Sequence, residues 1–135
     1  MTLATGTVAY WRDFVAGQDK FVYILGTNAA QEVLSFTISS QTKYLVMQPH
    51  ANEMVEIAKG TIDCLSKNCY IQCFYEVRRT PIAEFMDLER RGFICYRGSL
   101  PQFSQAILKV VSESVLLDGY DQEAVLEVLR PLPRS

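Results

Sequence analysis

Lys20-Phe21-Val22-Tyr23-Ile24-Leu25 is the stretch from which the fold can be read. Its five consecutive apolar side chains leave no polar face, so a strand here is buried on both sides. Gly26-Thr27-Asn28 ends it with residue types that turn a chain. Upstream, the run from Gly6 through Thr7, Val8, Ala9, Tyr10, Trp11, Arg12, Asp13 and Phe14 to Val15 is dense in β-branched and aromatic residues, and it predicts a first strand. Ala16-Gly17-Gln18-Asp19 is then the turn, and the two strands are expected to form a hairpin.

Working downstream, Val33, Leu34, Phe36 and Ile38 predict a third strand over residues 32–40, with extended chain again over 44–48 up to Pro49. Residues 50–53 read as a polar connection, 54–58 as a short strand, Lys59-Gly60 as a turn and 68–77 as the last long strand. Thr80-Pro81 changes the period. A threonine N-cap, proline at the first helical position and Glu84 in the first turn are start signals, and Ile82, Phe85, Met86 and Leu88 follow at helical spacing until Gly92. Residues 93–96 are short and apolar, Arg97-Gly98-Ser99 is expected to turn, and a long helix is expected to open at Leu100-Pro101. Its stripe of Phe103, Ile107, Leu108, Val111, Val115 and Leu116 should pack on the sheet. Asp121 is expected to cap a last helix through Ala124, Val125, Val128 and Leu129, ended by Pro131 before a frayed tail. The fold class is therefore α+β, with an antiparallel meander in the first two-thirds and helices in the last third.

Composition sets the outer bounds. At 135 residues, 49% apolar and 21% charged, the chain suits one domain with a core of its own. No stretch reaches the ~18 apolar residues of a membrane span, and the first residues lack the basic and apolar segments of a secretion signal. A cytoplasmic protein away from membranes is expected, with Cys64, Cys69, Cys73 and Cys95 reduced. A net charge of −2 gives no general field toward nucleic acid, so any such contact must be local. Arg78, Arg79, Arg90, Arg91 and Arg97 supply a local cluster, which fits either a solvated face of mixed charge beside Glu76, Glu84, Asp87 and Glu89 or an anion site.

Several chemistries are excluded. The cysteines lack paired zinc spacing, the one histidine, His50, has only Glu53 near it, and there is no nucleophile elbow, phosphate loop or dinucleotide turn. No metal or cofactor is called for. Cys69 and Cys73 fall on one strand face, as core residues do. Thr37, Ser39, Ser40, Gln41, Thr42 and Lys43 crowd polar side chains at the end of a buried strand. Such groups hydrogen-bond phosphates or base edges, and they equally cap turn backbone.

The order of segments is informative as a whole. Gly6-Thr7-Val8-Ala9-Tyr10-Trp11, then residues 20–25, then 33–38 running into Ser39-Ser40-Gln41, then Asn68-Cys69-Tyr70-Ile71-Gln72-Cys73, then Gly98-Ser99-Leu100 before a helix, resembles the MazF/PemK-like toxins over most of residues 6–117. The resemblance implies a small antiparallel SH3-like β-barrel with C-terminal helices. It implies a metal-independent endoribonuclease, the toxin of a toxin–antitoxin pair, that cuts single-stranded RNA by attack of a 2'-hydroxyl on its own phosphate. It also implies a homodimer and an antitoxin peptide as partners. Where the family begins its second strand with arginine and proline this chain has Lys20 and Phe21, and where the family ends its third with threonine it has Ser39 and Ser40. Lysine is a point charge where arginine is a planar fork, and Asp19 adds a repelling charge beside it.

On this resemblance Lys20 stabilises the phosphorane and Ser39 donates to a phosphate oxygen. Arg12 or Arg78 supplies the remaining charge, with Ser40 and Gln41 also on the substrate. The alternative is a non-catalytic binding or interaction module on the same barrel, since a fold does not carry a function without its site.

Overall fold

A computed structural model describes residues 4–15, 17–40, 50–62, 67–74 and 77–130. Strands β1 (Thr7–Val15), β2 (Gln18–Thr27) and β3 (Glu32–Ser39) are followed by a 3-10 turn at His50–Glu53, β4 (Met54–Ile57), β5 (Cys69–Gln72) and β6 (Arg78–Pro81). Then come α1 (Ile82–Arg90), β7 (Ile94–Ser99), a 3-10 turn at Pro101–Phe103, α2 (Ser104–Ser112) and α3 (Gly119–Leu129). The expected extended segment at 44–48, Gln41, Cys64, residues 75 and 76 of the expected last strand and the tail lie outside the described residues. No helix among the described residues is long and apolar enough to cross a membrane.

The strands form one antiparallel sheet in the order β4-β5-β3-β2-β1-β7, with β6 alongside the start of β3. The hairpin of β1 and β2 pairs Val8 with Tyr23, Ala9 with Val22, Tyr10 with Phe21 and Trp11 with Lys20. Because side chains alternate across a strand, this register sorts the apolar run of β2 onto two faces. Tyr23 and Leu25 join Val8, Phe36, Ile38 and Ile71 in the larger core, closed by Ile107 and Val111 of α2 and Val125 of α3. Val22 and Ile24 join Ala9, Trp11, Val33 and Ile94 in a smaller core on the opposite face, closed by Phe85 of α1. Tyr23, Ile24, Leu25, Phe36 and Phe85 are at most 1% exposed, and each such side chain stabilises the fold by about 1.5–3 kcal/mol over its exposed state.

Cys69 and Cys73 are both buried in the larger core as expected, Cys69 from β5 and Cys73 from the turn that follows it, and burial pushes the Cys73 thiol well above its ordinary range.

Several boundaries differ from the sequence reading. β2 takes in Gln18 and Asp19, expected in the preceding turn, and Gly26 and Thr27, expected to end it, because all four find ladder positions or flank them. β5 stops at Gln72, with a turn at 73–74, instead of running on toward 77. Thr80 does not cap α1: it pairs with Val33 inside β6, and the helix starts after Pro81 with no side-chain cap. Arg97-Gly98-Ser99 does not turn but continues β7, pairing as far as Ser99 with Thr7. The helix after Pro101 stops at Ser112, leaving Val115 76% exposed. Buried Glu53 is what stops it, accepting hydrogen bonds from the Ser114 hydroxyl, the Val115 N–H (2.9 Å) and the Leu116 N–H (3.1 Å). Finally, Asp118 rather than Asp121 caps α3, accepting from the Tyr120 N–H, while Asp121 accepts from Arg79 at 2.8 Å.

Candidate functional site

The face that carries the smaller core is only partly covered by α1, and the polar residues of interest lie on its other part. Trp11 pairs with Lys20. One step beyond the Phe21–Ile38 pair, the β2–β3 register sets Lys20 opposite Ser39. Ser39 in turn pairs with Tyr70, and Tyr70 with Glu56. Directly opposed residues hold their Cβ atoms ~4.5–5.5 Å apart, so Lys20 and Ser39 are neighbours on one face. Both are half-buried, and Ser40 beyond them is exposed. Gln41 lies outside the described residues.

The alternation along β3 extends this row lengthwise. Ser35, Thr37 and Ser39 share the face with Lys20, while Leu34, Phe36 and Ile38 point into the larger core. Ser35 pairs with Arg78 of β6. The three hydroxyls thus run between two cations, Arg78 at one end and Lys20 at the other. Arg78 places its guanidinium over the rings of Phe14 (4.2 Å to the centroid) and Trp11 (5.1 Å), within cation–π range of both. The bulge in β1 between Trp11 and Val15, with Asp13 at φ +56°, places Phe14 under it. None of the ion pairs among the described residues involves Arg78 or Lys20. Ser35 is 1% exposed, and its hydroxyl has no hydrogen-bond partner.

Arg12 is not part of this row. It follows Trp11 and therefore points to the opposite face, where it lies near Tyr10 and Asp19. Asp19 is turned the same way, away from Lys20. The Tyr10 hydroxyl (2.6 Å) and then the Asp13 N–H (2.9 Å) donate to its carboxylate, and with a weaker pull from Arg12 they hold it below the usual carboxylate range. The repulsion of RNA expected from Asp19 is therefore directed to the other side of the sheet. Of the arginine pair at 78–79, Arg79 is committed to Asp121 and to the ring of Tyr120 (4.4 Å), so Arg78 is the one available to a ligand.

Sequence reasoning picked out Thr37 and Ser39 as polar groups but missed Ser35 and the single-faced row the three form, the aromatic seat of Arg78 and the Tyr70–Glu56 extension. The first was visible: Ser35-Phe36-Thr37-Ile38-Ser39 alternates polar and apolar at period two. The other two depend on pairings between strands distant in sequence. Chemically, the surface offers two cations and hydroxyl donors for an oxyanion, and Glu56 is an exposed carboxylate in the Lys20 row. Among the described residues, no group of three or more His, Cys, Asp or Glu side chains is placed to hold a metal ion. No protein-family model, curated protein or solved structure matches this chain.

Proposed function

We propose that this chain is a metal-independent endoribonuclease of the MazF/PemK toxin kind, acting on single-stranded RNA from an SH3-like barrel in the cytoplasm. The observation that carries the reading is the juxtaposition of Lys20 and Ser39 across β2 and β3 on a half-open face. Attack of a 2'-hydroxyl on its phosphate builds an extra negative charge on the phosphorane oxygens. A lysine ammonium and a serine hydroxyl set for that charge stabilise it more than the ground state. Ser40 continues the donors into the exposed end of the row, and Arg78 adds the second cation. Glu56, in line with Lys20, Ser39 and Tyr70, is the carboxylate that this row offers as base for the 2'-hydroxyl. The same reading brings a homodimer and an antitoxin peptide as partners.

A second reading, a binding module without catalysis, is favoured by the position of Arg12. With that guanidinium on the opposite face, only Arg78 of the two candidate arginines is left beside the row. One experiment separates the two. Purified wild type, Lys20→Ala and Ser39→Ala are incubated with mixed-sequence single-stranded RNA in chelator. Cleavage by the wild type, reduced about 100-fold or more in each variant, is the expected result, since one oxyanion donor contributes about that much. Intact RNA with retained binding supports the module, and intact RNA without binding removes both.

A further inference from the structure

We propose that Arg78, flanked by Ser35, binds a second phosphodiester of the same RNA strand, so that the β3 hydroxyl row spans the substrate between two anion seats. This rests on the reading of the sheet face as an RNA site and adds to it how the strand lies.

Two independent observations point to a ligand at this end. The Arg78 guanidinium carbon is held against the rings of Phe14 and Trp11, 4.2 and 5.1 Å from their centroids, yet it makes no ion pair among the described residues. Contact with ring faces uses none of the guanidinium N–H donors that fork onto a phosphate. Across the ladder from it, Ser35 keeps a hydroxyl that is buried and unpartnered. Buried polar groups are nearly always satisfied, so an unpaired donor beside a cation with no ion pair among the described residues marks a place where an acceptor belongs. Arg79 provides the contrast: its neighbour in sequence has its acceptor, Asp121, within the fold.

The spacing favours one strand over two separate anions. Ser35 and Ser39 are four residues apart along β3, ~13–14 Å at the usual strand rise. A stacked single strand spaces its charges by ~3.4 Å along its axis, so the seats lie about four stacked nucleotides apart, or fewer if the strand is stretched. Thr37 stands between them on the same face, beside the ribose and phosphate oxygens that would pass over it.

The probe is a 2'-O-methyl oligonucleotide, which cannot be cut by 2'-hydroxyl attack and so reports binding alone. Anisotropy titrations over a salt series are expected to show severalfold weaker binding by Arg78→Gln. The slope of log affinity against log salt should fall by about 0.7, the share of one single-strand phosphate contact. Glutamine keeps a planar group on the same stem, and near-ultraviolet circular dichroism of Trp11 checks that the seat is intact. Arg78→Lys is expected to retain the slope, and Lys20→Ala to lose a separate, additive share. On a dinucleotide, whose one phosphodiester fills one seat, the Arg78→Gln loss should vanish. A loss of equal size there places Arg78 at the same phosphate as Lys20 and overturns the two-seat arrangement. An unchanged slope in folded Arg78→Gln also overturns it, even where wild type cuts RNA. A wild type that binds with the expected slopes but does not cut sinks catalysis alone, and one that binds no oligonucleotide sinks both.

Discussion

Replacing Glu53 by alanine tests how the helical half is fixed to the sheet. Glu53 ends the 3-10 turn before β4, and its carboxylate, in a residue 4% exposed, takes three donors from the chain between α2 and α3. Its own carbonyl accepts from the Cys73 N–H at 3.1 Å, tying the same residue to the end of β5. A hydrogen bond to a charged group contributes about 1.5–3 kcal/mol, but freed donors regain part of this from water. Water is close at hand: a cleft of about 460 Å³ lined by Asn52, Lys109, Val110 and Val115 opens beside the carboxylate. Discounting for that access, Glu53→Ala should destabilise the protein by about 3–4 kcal/mol. Glu53→Gln, which keeps the volume and one acceptor oxygen, should lose about 1–2 kcal/mol. The assay is a denaturant titration followed by the fluorescence of Trp11, the only tryptophan, which is 2% exposed. A Glu53→Ala protein within about 1 kcal/mol of wild type, the error of such extrapolations, would refute the account, as would a glutamine variant no better than alanine.

Two further outcomes are expected. Tyr23 is buried and donates its hydroxyl to the Leu100 carbonyl at 2.8 Å, and burial pushes its pKa up to about 12. A tyrosine is neutral when protonated, so this contribution is complete below its ordinary value of about 10 and is lost as pH rises toward 12, by roughly 2–3 kcal/mol. Unfolding free energies at about pH 8 and about pH 11 should show about half of that loss, roughly 1–1.5 kcal/mol, in wild type and a smaller one in Tyr23→Phe, and equal losses would discount Tyr23 as the cause. Ser35→Ala should be stabilising by about 1 kcal/mol, against the usual direction for a core substitution, because it removes a buried hydroxyl without a partner. Destabilisation by more than that would mean the hydroxyl is satisfied within the fold.

The parts of the fold legible in the sequence are those decided by short-range pattern. Residues 20–25 read as a strand covered on both faces, and β1, β2 and β3 fall close to where the sequence puts them, although Gly26 and Thr27, expected to end β2, still pair with Leu34 and Val33. The boundaries that moved are places where two local rules compete and a distant partner decides. Thr80 has the chemistry of an N-cap, but β3 offers it a ladder position opposite Val33, and the ladder prevails. Gly98 looks like a turn residue, yet β1 offers it a ladder position opposite Val8, and it continues β7. Val115 and Leu116 continue the apolar stripe of α2 in sequence, but no local signal reveals that Glu53, some sixty residues earlier, will take their backbone N–H groups.

The candidate site divides along the same line. Lys20 and Ser39 were named from a resemblance in the order of segments, and the shared face follows from the β2–β3 register, which no spacing within either strand fixes. Arg12 was equally plausible by composition, and a single step of strand alternation sends it to the other side. β3 shows why the polar half of the alternation matters. Its apolar residues fill the larger core on one face, and across the pleat Val33 belongs to the smaller core, yet the strand continues with Ser35, Thr37 and Ser39. A strand selected for packing alone would carry valine or isoleucine there, as β2 does at Val22 and Ile24. Retaining hydroxyls on a partly buried face, one of them unpartnered beside an arginine that makes no ion pair among the described residues, breaks the local rule with no gain in packing. The proposed anionic ligand is the class of molecule that would supply acceptors to both.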